Sequence, residues 1–319
     1  MKIFINIASY RDPLLANTVK DAYDNAHYKD SLVFGIVDQS YGMETFDPGY
    51  FDFKKQIKYV RIDPHHSRGA CWARHLVQTL YDEEDYYFQI DSHTIFDKDW
   101  DKILLEQHRH LEQYHKWPII STYPYPFDII DNDLTNLKKG PHHKECMLLI
   151  VNQEHTFKNK QEQHASAKGT YGKKQEPCHG FLVAGGCLFG HGHLVERVPY
   201  DPHLYFSGEE CSYALRLWTH GYNIFHTCDL PVYHQYIGKY RTKHWADKMI
   251  EPHMQTKWHE YSNNGKNRVN RVTTGKELGI YGLGNSRTLQ QYIDFSGLDY
   301  INQVYTDKNV PELNYKDSI

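Results

Sequence analysis

The sequence lacks the marks of several common function classes. No run approaches the roughly 20 consecutive apolar residues that span a bilayer. Positive charge is not in excess: 36 Lys and Arg stand against 40 Asp and Glu, for a net charge of -4 and a pI near 6.6. There is thus no basic footprint to attract nucleic acid, and no acidic tail. Cysteine is sparse, with six scattered residues (Cys71, Cys146, Cys178, Cys187, Cys211, Cys228) and no CxxC pair. The opening MKIFINIASYRDP lacks a small-residue cleavage site and reads as a β-strand rather than a signal peptide. Together these features predict reduced thiols, a cytoplasmic location and no cysteine-held metal. A P-loop, a GxGxxG after a strand, an HExxH, a nucleophile elbow and a zinc-ribbon spacing are all missing, which argues against kinase, dehydrogenase and hydrolase chemistry.

What is present is a chain of 319 residues, 40% hydrophobic and 14% aromatic, enough for one large α/β domain or two modest ones. Short β-rich runs occur at Ile3 to Ala8, Ser31 to Val37, Lys58 to Ile62, Tyr86 to Ile90 and Ile119 to Thr122. Helical spacing separates them at Leu14 to Asn25, where Leu15, Val19 and Tyr23 form an inner face, and at Gly69 to Tyr81. Alternation of this kind predicts an α/β fold with a mainly parallel sheet covered on both faces. Ligands bind such sheets beyond the carboxyl ends of the strands. Ser9-Tyr10-Arg11, Asp38-Gln39-Ser40 and Asp91-Ser92-His93 all fall at those ends. The segment 131–178 is polar and aperiodic, with one edge strand expected at Met147 to Val151, and reads as a long excursion.

Four constellations could carry chemistry. Asp91 and His93, two apart in extended chain, point the same way, and a carboxylate with an imidazole suits a divalent cation such as Mn²⁺. A polar strand exit with an idle histidine is the competing reading, because 22 histidines make any one of them weak evidence. Gly185 and Gly186 would let backbone approach a ligand, and Glu209 and Glu210 sit at the start of a helical run, a place that favours carboxylates with or without a functional role. Arg68 and Arg74 flank the start of another helix, a ready anion site, though paired surface arginines would look the same. His234, trailed by Lys239 and Arg241, could complete a metal site and clamp a phosphate, or be an ordinary basic loop.

The order of these pieces resembles a nucleotide-sugar glycosyltransferase of the GT-A fold. IASYRDP, SRGACWAR, QIDSHTIF and GLGNSRTLQQYIDFSG are similar to glycosyltransferase family 60, the polypeptide and hydroxyproline α-N-acetylglucosaminyltransferases. GEECSYALRLWTHGYNIF is similar to the mucin-type polypeptide GalNAc-transferases. The resemblance spans residues 1 to roughly 300 and implies a GT-A catalytic domain over 1–261, followed by a helical appendage over 262–319. Within the domain it implies a nucleotide-binding half (1–130), a variable acceptor or lid segment (131–178) and a sugar and acceptor half (179–261).

Carried over by position, the resemblance implies Asp91, His93 and His234 as ligands of Mn²⁺ or Mg²⁺ through a DxH motif. It places Ser9, Tyr10, Arg11 and Asp38 around the uridine, and Arg68 and Arg74 toward the ribose-phosphate. Gly185 and Gly186 would lie by the sugar, Glu209 or Glu210 on its hydroxyls or the acceptor, and Lys239 and Arg241 on the departing diphosphate. The implied reaction is retaining transfer of GlcNAc from UDP-GlcNAc to a Ser, Thr or hydroxyproline hydroxyl of a protein or peptide. A glycan, small-molecule or modified-nucleobase acceptor is the alternative, with nucleic acid disfavoured by charge. A non-catalytic sugar- or nucleotide-binding module is the alternative of another class.

Overall fold

Strand β1 (Ile3–Tyr10) sends Ile3, Ile5 and Ile7 to one face and Phe4 to the other, and all four are fully buried. Strand β2 (Leu32–Gln39) behaves the same way, with Leu32, Phe34 and Ile36 on one face and Val33 and Val37 on the other. Strands buried on both faces need layers on both sides, and the chain supplies them. The first core packs helix α1 (Leu15–Asn25) and helix α3 (Trp100–Glu112) against the sheet. The second packs helix α2 (Ala70–Gln78) and the Glu209–Thr219 helix on the opposite face.

This computed structural model describes residues 1–157 and 164–319. Strand β3 (Ile57–Ile62) and strand β4 (Tyr86–Asp91) join β1 and β2 in an eight-stranded sheet. Across it the order is Cys178–Gly180, Asn223–His226, Pro118–Ser121, Cys187–His191, β4, β1, β2, β3. Only Cys178–Gly180 and Cys187–His191 run against the rest, so the sheet is mainly parallel as expected. A second sheet of four short strands combines strand β5 (Thr94–Phe96) with Val232–His234, Tyr125–Ile129 and Leu137–Lys139.

Several expectations change. The excursion at 131–178 contains strands Leu137–Lys139 and Ala167–Tyr171 besides Met147–Val151, the last two paired antiparallel. Residues 158–163 of that expected acceptor or lid segment lie outside the described residues. The expected boundary at 261/262 falls inside the Trp258–Thr273 helix. The chain beyond it also packs inward, with Tyr292, Leu298 and Tyr300 clustered with Phe181, Leu182 and Trp218. Reduced thiols throughout do not hold: Cys146 and Cys228 form a disulfide across 82 residues of sequence. The pairing was unreadable because one cysteine precedes the Met147–Val151 strand and the other follows Asn223–His226. It removes the cysteine argument for a reducing compartment. Among the described residues no helix is long and apolar enough to cross a membrane.

Candidate active site

The carboxyl ends of β1 and β4 and the amino end of α2 open onto a cavity of about 590 Å³. Asp91 ends β4 on its floor. Its Oδ1 accepts a hydrogen bond from Arg74 Nη2 at 2.8 Å. Its Oδ2 lies 3.1 Å from His234 Nε2 and 3.8 Å from His93 Nε2. Strand pairing brings the two histidines together: Val232–His234 lies antiparallel to β5 with His234 opposite Thr94, and the Gln235 N–H donates to the His93 carbonyl at 3.1 Å.

Charge sets the state of this cluster. Burial pushes the Asp91 carboxyl up, but the His234 hydrogen bond and the Arg74 guanidinium outweigh it and hold the carboxyl well below its usual range. Burial depresses the His234 imidazole despite its bond to Asp91, which favours the neutral form. His93 holds Asp12 Oδ2 through Nδ1 at 2.7 Å, which turns Nε2 toward Asp91. A carboxylate behind an imidazole is the arrangement that orients metal-binding histidines. Arg241 Nη1 contacts His93 Nε2. The Asp, His, His donor set fits a divalent cation of Mn²⁺ type.

Behind the triad lies a buried hub. Arg74 Nη1 donates to Glu209 Oε1 at 2.6 Å and to the Tyr200 hydroxyl at 3.0 Å. Glu209 Oε2 accepts from Tyr200 and from Cys71 Sγ, both at 2.9 Å. Glu210, one residue on in the first helical turn, accepts from the Gly185 N–H at 2.7 Å. Burial first, and then the Glu209 charge, push its carboxyl up to about 7. Gly185 and Gly186 are what let these groups converge. A Cβ on Gly185 would lie 2.4 Å from Glu209 Oε1, and one on Gly186 would lie 2.6 Å from Asp91 Oδ2.

The structure therefore gathers Ser9, Tyr10, Arg74, Asp91, His93, Gly185, Gly186, Glu209, Glu210, His234 and Arg241 around one cavity. Four expected residues are not on its wall. Arg68 is exposed and lies over the Trp72 ring, and Lys239 is exposed and contacts Asn132. Asp38 is buried and spent on Ser40, the Phe46 N–H and Tyr59. Arg11 is paired with Glu44 and Asp247. With Tyr10, which donates to Asp247 at 2.9 Å, it ties the 244–247 segment to the end of β1. Arg74 lines the cavity, yet its guanidinium is committed to Asp91 and Glu209 rather than open to a ribose-phosphate. Sequence reasoning missed Asp12, the carboxylate that orients His93. It also missed Tyr205, which bonds His244 at 2.7 Å on the cavity wall.

A crystal structure of GalNAc-T7 with UDP, GalNAc and Mn²⁺ is similar, with a TM-score of 0.57 at 14% identity over 92% of this chain and 54% of that one. The present chain thus spans about half the length of that protein. A crystal structure of S. aureus TarS 1-349 in complex with UDP-GlcNAc gives a TM-score of 0.44 at 12% identity over 95% and 82% of the two chains. No curated protein sequence matches significantly. The GalNAc-T7 likeness shows the GT-A fold. The family model described as Glycosyltransferase (GlcNAc) matches residues 40–302, well over half of the chain, and the protein therefore belongs to that glycosyltransferase family.

Proposed function

We propose that the protein transfers GlcNAc from UDP-GlcNAc to a Ser, Thr or hydroxyproline hydroxyl of a protein or peptide, with retention and with dependence on Mn²⁺ or Mg²⁺. The observation that carries the reading is the convergence of Asp91, His93 and His234 on the floor of a cavity at the strand ends. The family description supports GlcNAc, and GalNAc-T7, crystallised with UDP and Mn²⁺, supports the donor and metal.

A diphosphate entering here meets Asp91, Glu209 and Glu210, so like charges must be offset for it to bind. A divalent cation on the triad would supply that charge and Lewis acidity against the leaving diphosphate. The chain's own residues do the rest. Arg74 holds Asp91 so that Oδ2 faces both histidines, and Asp12 fixes the His93 tautomer. Arg241 offers a guanidinium to the departing phosphate oxygens. Glu209, held by three neighbours, positions rather than accepts protons, and Glu210 faces the sugar hydroxyls. The bond from the anomeric carbon to the phosphate oxygen breaks as the acceptor oxygen bonds to the same face. The acceptor proton passes to that phosphate oxygen, so no protein base is required.

Incubation with UDP-GlcNAc and Mn²⁺ should release UDP, and acceptor peptides should gain one N-acetylhexosamine by intact mass. UDP release without peptide modification would move the acceptor to a glycan or small molecule. No turnover of any UDP-sugar would overturn the reading.

A further inference from the structure

A second group of ligand-type side chains lies at the other end of the sheet. His108 and Glu112 stand one turn apart on α3, and His191 ends the Cys187–His191 strand, opposite Tyr86 at the start of β4. One ligand atom from each lies within 4.8 Å of the other two. Glu112 bridges the rings, with Oε2 3.4 Å from His108 Nδ1 and Oε1 2.7 Å from His191 Nε2. The rings of Tyr86 and His191 stack at 5.6 Å, and His108 stands edge-on to both.

His108 is the telling residue. Its side chain is 0% exposed, and its Nε2 lies 3.0 Å from the Pro118 carbonyl. A carbonyl only accepts, so Nε2 carries the hydrogen and Nδ1 of the neutral ring is a bare lone pair. That buried Nδ1 has no hydrogen-bond partner among the described residues, and it faces a carboxylate oxygen, acceptor against acceptor. Lone pairs facing each other in a buried place call for a proton or a metal cation between them. An imidazole whose far nitrogen is anchored on a carbonyl is also the orientation that metal-binding histidines adopt.

We infer that His108, Glu112 and His191 form a second metal site, one that takes a borderline divalent cation of the Zn²⁺ or Co²⁺ class. Two imidazoles and one carboxylate are a donor set for that class. With bonds of about 2.0–2.1 Å, tetrahedral geometry spaces ligand atoms by about 3.3 Å. The 3.4 Å from His108 Nδ1 to Glu112 Oε2 already matches, and with Oε2 as the one carboxylate ligand His191 Nε2 gives up its bond to Oε1 and turns to the ion. Glu112 and His191 side chains are 29% and 25% exposed, which leaves a route for the ion and room for a water as fourth ligand. The site stands independently of the donor pocket and of the proposed reaction.

The test is Co²⁺ titration of the full chain in an Asp91→Asn background, which disables the first triad. One equivalent should bind with the visible absorption of a tetrahedral ion. Glu112→Gln and His191→Gln should each weaken binding at least tenfold and abolish the band. Both positions are partly exposed, so these variants spare the core that a His108 substitution would disturb. Zn²⁺ should raise the Tm of the Asp91→Asn protein but not of that protein carrying either further substitution. Binding unchanged by both substitutions, or no Co²⁺ bound below millimolar concentration, would overturn the assignment.

Discussion

Strand β4 and its antiparallel neighbour Cys187–His191 carry a cluster of ligand-type side chains at each end. At the carboxyl end of β4, Asp91 meets His93 and His234, while at the amino end Tyr86 stacks on His191 beside His108 and Glu112. Either cluster taken alone is two histidines and an acid. The first opens into a cavity whose walls also carry Arg74, Arg241, Glu209 and Glu210, groups able to meet a diphosphate and a sugar. The second is walled by the rings of Tyr86 and Phe189. A site for an ion and a site for a reaction can use the same ligands, and what separates them is the space and charge beside the ion.

The largest effect should separate the two ends outright. Asp91→Ala removes the carboxylate shared by both histidines and leaves Arg74 Nη2 without its partner, while Nη1 stays on Glu209 and Tyr200. UDP-GlcNAc turnover should fall by about 10³-fold, and metal-dependent UDP binding should be lost. Glu112→Ala, at the other end of the same strand pair, should leave turnover within about twofold. Equal losses from the two substitutions, measured as kcat/KM, would break the distinction.

A glycine just before the partner strand and one within it provide a finer cut. A Cβ on Gly186 would lie 2.6 Å from Asp91 Oδ2, whereas one on Gly190 would lie 2.5 Å from Ile119 Cδ1. Gly186→Ala should therefore displace the Asp91 carboxylate and, on the proposed reading, cost about 10–100-fold in turnover, because small misplacements at a reacting centre are expensive. Gly190→Ala should overpack the core and cost about 1–3 kcal/mol of stability with kcat preserved. Denaturant melts and steady-state rates on both variants would show whether these effects divide as the geometry requires.

The comparison also shows what a sequence exposes. Strands β1 to β4 could be placed within a residue or two because apolar runs bounded by polar residues are a local signal. Asp91 and His93 were singled out on the premise of extended chain, but Ser92 and His93 form a bend between β4 and β5, and it is this bend that brings His93 Nε2 to 3.8 Å from Asp91. The convergence of His234, Arg74 and Glu209 on Asp91 depends on pairing between distant segments, and only the order of motifs in a resembling family hinted at it. Asp12 was hidden by its neighbour Pro13, since a strand breaker and a histidine-orienting carboxylate look alike in sequence. Arg68 and Lys239 carried the right charge at nearly the right place, but their side chains lie outside the cavity, which spacing alone cannot reveal. Helix α3 went unread although Trp100, Leu104, Leu105, His108 and Leu111 recur at helical spacing, and with it went the second cluster.

The smallest expected effect concerns the acidity of the cavity end. Glu209 is held by Arg74, Tyr200 and Cys71, whereas Glu210 beside it is bonded to the Gly185 N–H and faces the charges of Glu209 and Asp91. Its carboxyl is pushed up to about 7 from an unfolded value near 4.5. Below about pH 4.5 the proton is bound in both states. Between that point and about pH 7 the folded state holds a proton that the unfolded state has lost, so stability falls as pH rises through this window. Glu210→Gln keeps an oxygen for the Gly185 N–H and removes the titration. In metal-free protein the variant should match the wild type near pH 4.5 and gain about 1–2 kcal/mol over it by pH 8, a figure reduced for the water that the carboxyl still meets. Urea melts at pH 5, 6.5 and 8 would measure the difference. A constant offset across that range would mean that Glu210 already shares its charge with a neighbouring cation, and that the cavity end is no more acidic than the rest of the sheet.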